Sequence, residues 1–267
     1  MKKDEKSVVI LGTGWLGQHL RADFISKKYQ VEATVRDPIK AAEQGLNYFN
    51  VTPDGLCDHN ITLQNAVWIC CIPPSFRTAD RHYFTVLESA LDLAASLNMK
   101  GFLLCSSTGV YSSTSTVMTE YLPIDIESQK QQWLLEAEAR VLESEQNKVV
   151  RLAGLIGPKR HPGRFVAGKV LSSSANERVN MIHQLDASAA IVHLVEKWEL
   201  SQSIYNLVTP DHPTKQAFYA DACAQLASAP PRFESTDIIE RIIDGKAIEA
   251  LGFTYRYQTL KDALTDC

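Results

Sequence analysis

Three glycines near the start of the chain have the spacing of a phosphate-binding turn. Gly12, Gly14 and Gly17 follow an apolar segment and precede leucine and phenylalanine residues at helical spacing. In such a strand-turn-helix the first glycine permits a tight turn, the second lets the backbone approach a pyrophosphate, and the third brings the helix close to the strand. The helix N-terminus then attracts the phosphates. We interpret this segment as a dinucleotide site; the alternative is a strand-turn-helix without a ligand.

The end of the predicted second strand bears on the choice between NAD and NADP. An NAD site places a carboxylate there for the ribose 2′-hydroxyl, whereas an NADP site uses an arginine for the 2′-phosphate. Glu32 falls near the beginning of this strand, while Arg36 follows its end and is followed by Asp37. Arg36 therefore favours NADP as the cofactor over NAD. The alternative is that Arg36 is an exposed turn residue.

Strand-like and helix-like segments alternate along the first 155 residues. Strands are predicted at residues 8–12, 30–35, 47–51, 66–72, 101–105 and 149–152, and helices at 15–27, 83–98 and 131–145. This alternation is typical of an α/β fold with a Rossmann-type doubly wound parallel sheet. We predict an NAD(P)-binding domain over residues 1–155, to which elements around 184–208 return. Residues 156–267 are predicted to form a smaller substrate-binding lobe, with a strand at 179–182, a helix at 187–198 and a strand at 204–207.

The doubly wound sheet also predicts where the ligands bind. Ligands of such sheets lie outside the carboxyl ends of the strands, so loops that are far apart in sequence form one neighbourhood. We expect the cofactor to contact the residues that follow the first, second, fourth and fifth strands. These are Gly12, Gly14, Trp15, Leu16, Gly17, Arg36, Ile72, Pro73 and Ser106.

A basic loop and two further arginines could bind an anionic small-molecule substrate. Residues 159–164 hold several cations between proline and glycine, and arginine binds phosphate or carboxylate with two hydrogen bonds. We expect the substrate to contact Arg77, Arg160, Arg164 and His183, with Arg81 near the same anion. The alternative for the loop is a solvated basic surface. Asp186 is interpreted as a helix N-cap; otherwise it links the two lobes through Arg151 or orients His183.

Four segments together resemble an extended short-chain dehydrogenase/reductase of the NAD-dependent epimerase/dehydratase family. They are the glycine turn, residues 105–111 (Cys-Ser-Ser-Thr-Gly-Val-Tyr), residues 151–158 (Arg-Leu-Ala-Gly-Leu-Ile-Gly-Pro) and Tyr205-Asn206. Residues 151–168 and 242–252 are closer still to the atypical YeeZ-like branch. The resemblance covers nearly the whole chain. It implies that Ser107 is the catalytic hydroxyl that polarises a substrate carbonyl or alcohol, and that the protein is a homodimer; the alternative for Ser107 is turn capping.

The catalytic Tyr-x-x-x-Lys pair of that family is absent from the expected window. In the family the lysine lowers the tyrosine pKa so that the phenol can transfer a proton. Residues 123–135 contain no tyrosine, and Gln129 and Trp133 fall at roughly the two positions. Tyr111 is the nearest candidate acid, although the family pattern implies that it packs behind the site. Tyr257-x-x-x-Lys261 in the C-terminal tail is interpreted as a coincidence.

Composition and charge exclude several classes of function. The 267 residues carry a formal net charge of −4, which gives no general attraction to nucleic acid or to an anionic membrane. The six cysteines have no CxxC spacing, so no metal site is expected; Cys70, Cys71 and Cys105 are interpreted as small buried hydrophobic residues. The N-terminus does not match a signal peptide, and no apolar run is long enough to span a membrane. We expect a cytoplasmic protein.

Two functions of different class remain open. The first is an NADP-dependent oxidoreductase or epimerase-like enzyme acting on a hydroxyl or carbonyl of an anionic small molecule. The second is a sensor or regulatory protein that binds NAD(P) and has lost the catalytic acid. The missing tyrosine favours the sensor, whereas Ser107 and the basic loop favour the enzyme. The glycine spacing and the basic end of the second strand argue against a methyltransferase.

Overall fold

The computed structural model describes residues 6–74, 82–114, 116–238 and 240–267. Helices and strands alternate over the first five elements, and two or three strands follow one another at several later points. The strands are β1 (Ser7–Leu11), β2 (Gln30–Val35), β3 (Asn47–Val51), β4 (Cys57–His59), β5 (Val67–Cys70), β6 (Gly101–Ser107), β7 (Val117–Met118), β8 (Lys148–Leu152), β9 (Gly154–Ile156), β10 (Val170–Ser174), β11 (Met181–His183), β12 (Ile204–Leu207), β13 (Arg232–Ser235) and β14 (Ile242–Ile243). The helices are α1 (Trp15–Ser26), α2 (Pro38–Gln44), α3 (His82–Ser96), α4 (Gln129–Val141), α5 (Gly163–Val166), α6 (Gln184–Glu196), α7 (Lys215–Gln225), α8 (Lys246–Ala250) and α9 (Leu260–Leu264).

Eight strands form one mostly parallel sheet in the order β12-β8-β6-β5-β1-β2-β3-β4. β1 lies between β2 and β5 and pairs with both in parallel register, whereas β4 pairs antiparallel with β3. The chain therefore moves to one side after β1 and to the other side at β5. This reversal is the topological switch point at which doubly wound sheets bind ligands. The prediction of a Rossmann-type fold is confirmed.

The sheet and its helices bury continuous apolar segments. Every residue of β1 and β5 is buried, as expected for strands covered on both faces. α1 turns Leu16, Leu20 and Phe24 inward, and α3 buries Phe84 and Leu87. These contacts hold the ends of β1, β2 and β5 in fixed positions. The described helices include none long and apolar enough to cross a membrane.

The chain divides into two compact units, each assembled from three segments. The first unit comprises residues 1–106, 128–150 and 191–204, and the second comprises residues 107–127, 151–190 and 205–267. Within the second unit, Phe218, Leu260 and Leu264 belong to a separate apolar core. The described residues of this unit also form three short two-stranded sheets, with the pairs β10–β13, β9–β11 and β7–β14.

Several predicted boundaries are wrong by a few residues. The helix predicted at 187–198 is α6 and begins at Gln184, and the strand predicted at 179–182 is β11 and begins at Met181. The helix predicted at 131–145 is α4 and begins earlier because Ser128 caps it by accepting a hydrogen bond from the amide of Gln131. β5 is shorter than the predicted segment 66–72, and β6 extends to Ser107.

Candidate functional site

The glycine turn after β1 is fixed by the end of β2. The amide of Gly12 donates a hydrogen bond of 3.2 Å to the hydroxyl of Thr34. The amide and hydroxyl of Thr13 both donate to the carbonyl of Thr34, at 2.9 and 3.0 Å. Thr13 and Thr34 are buried, so these bonds lie away from solvent. The turn is therefore braced by the neighbouring strand before any ligand binds.

A different structural feature accounts for glycine at each of the three positions of the turn. Gly12 adopts a φ of +90°, which a residue with a side chain rarely adopts. A Cβ on Gly17 would collide with the carbonyl oxygen of Gly12, so Gly17 permits α1 to lie against the turn. A Cβ on Gly14 would meet no atom within 4 Å, so the backbone there borders open space. These features match the geometry of a phosphate-binding turn.

The N-terminus of α1 borders this open space at Gly14. Gly14 is the N-cap residue and supplies no side-chain hydrogen bond to the first turn, which begins with Trp15 and Leu16. The first amides of a helix need acceptors from outside the helix, and the helix dipole favours an anionic acceptor. The 12 residues of α1 give a helix long enough for this effect. A pyrophosphate fits the donors that the turn presents.

A cavity of about 470 Å³ lies at the carboxyl ends of the strands around the switch point. Gly12 after β1, Arg36 after β2 and Ile72 and Pro73 after β5 belong to its wall. Most of the wall is apolar, which suits the flat faces of a nucleotide base. The remaining lining residues are Thr34, Val35, Phe49, Val51, His82, Tyr83 and Val86. The structure thus brings four of the sequence-predicted cofactor residues to one cavity.

The charged groups at and near the end of β2 have different partners. Arg36 is exposed and lines the cavity. Asp37 caps α2, since its carboxylate accepts hydrogen bonds from the amides of Ile39 and Lys40 at 2.8 and 3.3 Å. Glu32 accepts three hydrogen bonds from residues 62 and 63. Both carboxylates are therefore engaged elsewhere, and the arginine remains at the rim.

Two serines end β6. The hydroxyl of Ser106 donates a hydrogen bond of 2.5 Å to a carboxylate oxygen of Glu138, and both residues are buried. Ser107 caps the following helical turn, because its oxygen accepts a hydrogen bond of 3.0 Å from the amide of Gly109. In that bond the oxygen of Ser107 accepts, so its proton can still be donated to a substrate oxygen. The capping interpretation and the functional one are thus compatible at Ser107.

Tyr111 lies in a buried network of polar groups. Its hydroxyl lies 2.8 Å from Oδ1 of Asn206 and 3.2 Å from the carbonyl of Thr119, and it accepts a hydrogen bond of 2.8 Å from Arg151. Burial raises the pKa of Tyr111, although the Arg151 guanidinium and the Asn206 hydrogen bond oppose the shift. The carboxylate of Glu120 accepts from the amide of Asn206 at 2.8 Å. The network leaves the Tyr111 proton engaged inside the protein.

A second cavity, of about 300 Å³, lies within the second unit. Its wall includes Arg178, Lys215 and Arg241 together with the carboxylate of Glu177. Lys215 pairs with Glu177 at 2.7 Å and Arg178 pairs with Glu240 at 3.0 Å. The Nε of Arg178 is buried and has no hydrogen-bond partner among the described residues. Sequence reasoning missed these three cations because residues 178, 215 and 241 belong to no common motif.

The residues predicted to bind the substrate lie in different surroundings. Arg160 and Arg164 are exposed, and neither is among the lining residues of the second cavity. His183 is completely buried; its Nδ1 accepts a hydrogen bond from the amide of Leu185, and its ring packs edge-on against Tyr257. The structure does not bring these three residues together at a cavity described above. Arg77 and Arg81 lie outside the described residues.

The structure also shows the surroundings of Asp186, of Tyr257 and Lys261, and of two cysteines. The N-cap prediction for Asp186 is wrong, because α6 begins two residues earlier and the carboxylate accepts from the amides of Arg256 and Tyr257 at 2.7 and 3.2 Å. Tyr257 precedes α9 and donates to the carboxylate of Asp266, whereas Lys261 lies inside α9. Cys71 and Cys105 are half-buried rather than buried. No group of three or more His, Cys, Asp or Glu side chains among the described residues could hold a metal ion.

Comparison with known proteins identifies the family. The chain is 32% identical over 266 residues to protein YeeZ of Escherichia coli K12, covering 94% of this chain and 96% of YeeZ. The chain belongs to the YeeZ family. No protein-family model matches the chain.

Solved structures share the fold of this YeeZ-family chain. MoeE5 in complex with UDP-glucose and NAD superimposes with a TM-score of 0.77 at 17% identity, covering 97% of this chain and 96% of MoeE5. Human epimerase family protein SDR39U1 (isoform 2) with NADPH gives a TM-score of 0.70 at 17% identity, covering 97% of each chain. At these identities the similarity shows the fold alone, which is of the Rossmann type.

In this YeeZ-family chain, the helix expected to carry the tyrosine and lysine is α4. Gln129 is its first residue and donates from its side chain to Gln132 at 3.1 Å. Trp133 packs edge-on against Phe84 with ring centroids 6.5 Å apart and joins the apolar core. Neither side chain can exchange a proton as a tyrosine does. The two residues of α4 at these positions therefore make a surface hydrogen bond and an aromatic packing contact.

Proposed function

We propose that this protein binds NADP(H) in the 470 Å³ cavity at the switch point of the sheet. The observation that carries the proposal is the charge arrangement at and near the end of β2. Asp37 and Glu32 are committed to backbone amides, while Arg36 lines the cavity. A 2′-phosphate would gain a cationic partner there, whereas a 2′-hydroxyl would lack the carboxylate that NAD sites supply. The open space at Gly14 and the N-terminus of α1 suit the pyrophosphate.

We further propose that the protein is an oxidoreductase or epimerase-like enzyme that acts on a hydroxyl or carbonyl group. A nicotinamide cofactor supplies or accepts the hydride when it is bound. In the protein, Ser107 would donate its hydroxyl proton in a hydrogen bond to the substrate oxygen. Its oxygen is already held by the amide of Gly109, which orients the hydroxyl. This role follows the family pattern at Ser107 and is supported by its place at the end of β6.

For the substrate we propose an anionic small molecule held by the second cavity. Arg178, Lys215 and Arg241 give its wall three cations, which are opposed by two carboxylates, Glu177 on Lys215 and Glu240 on Arg178. The unpaired Nε of Arg178 is a buried donor that an anion would satisfy, which removes a cost of about 1–3 kcal/mol. MoeE5, which shares the fold, binds UDP-glucose, an anion of this class. We propose Arg160, Arg164 and His183 only as secondary contacts.

A non-catalytic NADP(H) sensor is the second candidate function. It is favoured by Trp133, which is half-buried and packs against the core, and by the buried network around Tyr111, which together leave no evident proton donor among these residues. A sensor would retain the cofactor cavity and would need no general acid. The two candidates therefore agree on the cofactor and differ on turnover.

Cofactor oxidation and binding measured side by side separate these candidates. We expect NADPH to bind with higher affinity than NADH in a fluorescence titration. NADPH oxidation with keto acids and NADP⁺ reduction with sugar nucleotides test turnover. Ser107→Ala should abolish it, and Ser172→Ala, at an exposed site, is the matched control. Binding without turnover across the panel would support the sensor. Failure of both nucleotides to bind would overturn both proposals.

The remaining proposals concern organisation and location. We propose that the substrate is bound by the C-terminal part of the chain, residues 156–267, as the three cations of the second cavity suggest. We propose a cytoplasmic location, which the six free cysteines support. We propose a homodimer on the family resemblance alone, and light scattering on the purified protein tests it.

A further inference from the structure

Two cysteines lie side by side at the carboxyl edge of the sheet. β5 and β6 are parallel, and Cys70 is paired with Leu104, so the next residues, Cys71 and Cys105, are also neighbours. Their Sγ atoms are 3.8 Å apart. Adjacent strands are about 4.8 Å apart, and disulfides form at Cα separations of about 4.4–6.8 Å. The backbone therefore already has a spacing that a disulfide accepts.

The neighbouring cysteine is excluded from this pair by the direction of its side chain. Successive side chains of a strand point to opposite faces of the sheet. Cys70 is 2% exposed and belongs to the apolar core, whereas Cys71 and Cys105 are half-buried. Burial raises the pKa of Cys70 to about 12, so its thiol is unreactive at neutral pH. Only Cys71 and Cys105 of the three are placed to react with each other.

We propose that Cys71 and Cys105 form a redox-active dithiol that a low-molecular-weight disulfide oxidises to an intramolecular disulfide. Cys71 as thiolate attacks one sulfur of the small disulfide, whose S–S bond breaks and releases one thiol. Cys105 then attacks the Cys71 sulfur, and the second small thiol leaves. The protein loses two electrons and two protons, and the two released thiols carry them. Reduction by excess small thiol runs the same steps backwards.

The two thiols have different places in this sequence. The S–H···S contact with Cys71, together with burial, raises the pKa of Cys105 well above its ordinary value. Cys105 therefore stays protonated while Cys71 reacts first. The contact disappears once Cys71 is in the mixed disulfide, which frees Cys105 to lose its proton. Pairs that are reduced in ordinary cytosol and oxidised transiently behave in this way.

The disulfide would change the nucleotide cavity, a consequence that rests on the proposed NADP(H) site. Ile72 and Pro73 follow Cys71 directly and line that cavity. The amide of Cys71 donates to the carbonyl of Leu11 at 2.9 Å, and the Cys71 backbone lies beneath Gly12. Closing the sulfurs to about 2.0 Å requires movement at Cys71 or Cys105. We expect the oxidised protein to bind NADPH several-fold more weakly than the reduced protein.

Peptide mapping tests the disulfide without reference to any nucleotide. The intact protein is incubated with oxidised glutathione, digested without reductant and analysed by mass spectrometry. We expect a crosslinked pair of peptides containing Cys71 and Cys105, lighter than the free peptides by two hydrogens and lost on treatment with dithiothreitol. Because Cys70 shares a peptide with Cys71, a Cys70→Ala variant must keep the crosslink. Cys57→Ser is the matched control and must keep it as well.

The single variants and the titration complete the test. Cys105→Ser should hold glutathione on Cys71 as a stable mixed disulfide. A wild-type protein that keeps such an adduct, or whose crosslink depends on Cys70, would overturn the dithiol. If the crosslink forms but the NADPH dissociation constant does not change, the effect on the cavity is wrong. If the reduced protein binds no nucleotide at all, the proposed function fails while the mapping result still decides the dithiol.

Discussion

The carboxylate of Asp37 accepts a hydrogen bond of 2.8 Å from the backbone amide of Ile39. This bond caps α2 and contributes about 0.5–2 kcal/mol to its stability. It also turns the acid toward its own helix, while Arg36 beside it lines the cavity. Two adjacent residues of opposite charge therefore have separate tasks, one structural and one available to a ligand.

The first prediction concerns the guanidinium at the rim of the cavity. Arg36→Ala should weaken NADPH binding by about 10- to 100-fold, because hydrogen bonds to charged groups contribute about 1.5–3 kcal/mol. NADH binding should change little, since it lacks the 2′-phosphate. Fluorescence titration of both nucleotides measures the difference. Lys100→Ala is the charge control, because Lys100 is exposed and precedes β6 at the opposite edge of the sheet. An equal loss for both nucleotides would contradict the NADP preference.

The second prediction separates the tasks of two glycines. Gly17→Ala should lower the melting temperature by several degrees, because its Cβ would collide with the Gly12 carbonyl and overpacking costs about 1–3 kcal/mol. Gly14→Ala should keep the melting temperature, since nothing lies within 4 Å of its Cβ, yet weaken nucleotide binding. Thermal unfolding and titration on both variants give the comparison. Unchanged binding by Gly14→Ala would argue against a pyrophosphate at that position.

The third prediction compares a cavity arginine with a surface arginine. Arg178→Ala should weaken the binding of UDP-glucose, used as an anionic probe, by about tenfold or more, whereas Arg164→Ala, at a secondary contact, should weaken it much less. Arg178 lines the second cavity and Arg164 is exposed outside its wall. Isothermal titration measures both. The reverse result would assign the anion to the basic loop at residues 159–164.

The fourth prediction uses the buried carboxyl of Glu120. Burial raises its pKa, with the Asp244 charge adding to the shift and the Asn206 amide and Arg151 opposing it. The folded state therefore binds this proton more tightly than the unfolded chain. The stabilisation is fully present below the unfolded pKa of 4.5 and is lost as the pH rises through the higher folded value.

Glu120→Gln removes this ionisation and keeps an oxygen for the amide of Asn206. We expect the variant to be more stable relative to wild type at about pH 7 than at about pH 4. Its free energy of unfolding minus that of wild type should therefore be larger at pH 7. Urea denaturation at both values measures it, with Glu145→Gln at an exposed site as control. The same difference at both pH values would show that burial does not perturb Glu120.

Local patterns predicted every strand of the eight-stranded sheet except β4. β2, β3 and β12 have the predicted bounds, because their apolar residues recur with the period of a strand and turn residues end them. α2 was missed although Asp37-Pro38 is a helix start signal and Gly45, in the left-handed region, ends it. Asp186 was wrongly interpreted as an N-cap. The amides that donate to its carboxylate belong to Arg256 and Tyr257, which are 70 and 71 residues away in the sequence.

The two cavities differ in how much the sequence reveals. The 470 Å³ cavity is formed by residues at strand ends, so the rule for doubly wound sheets places Gly12, Arg36, Ile72 and Pro73 near one another in advance. The second cavity depends on tertiary pairing, such as the isolated bridge between Arg178 and Thr214. No spacing in the sequence indicates such a pairing, so Arg178 and Lys215 could not be predicted as residues of a common site.

The division of the chain into interleaved segments limits how its coding sequence can be truncated or recombined. The backbone passes between the two units at residues 106/107, 127/128, 150/151, 190/191 and 204/205. A C-terminal truncation at any of the first four points removes part of both units, whereas a truncation after residue 204 leaves the first unit whole. Neither half of the coding sequence therefore encodes all segments of either unit, and recombination that exchanges one unit for another must replace several separate stretches at once.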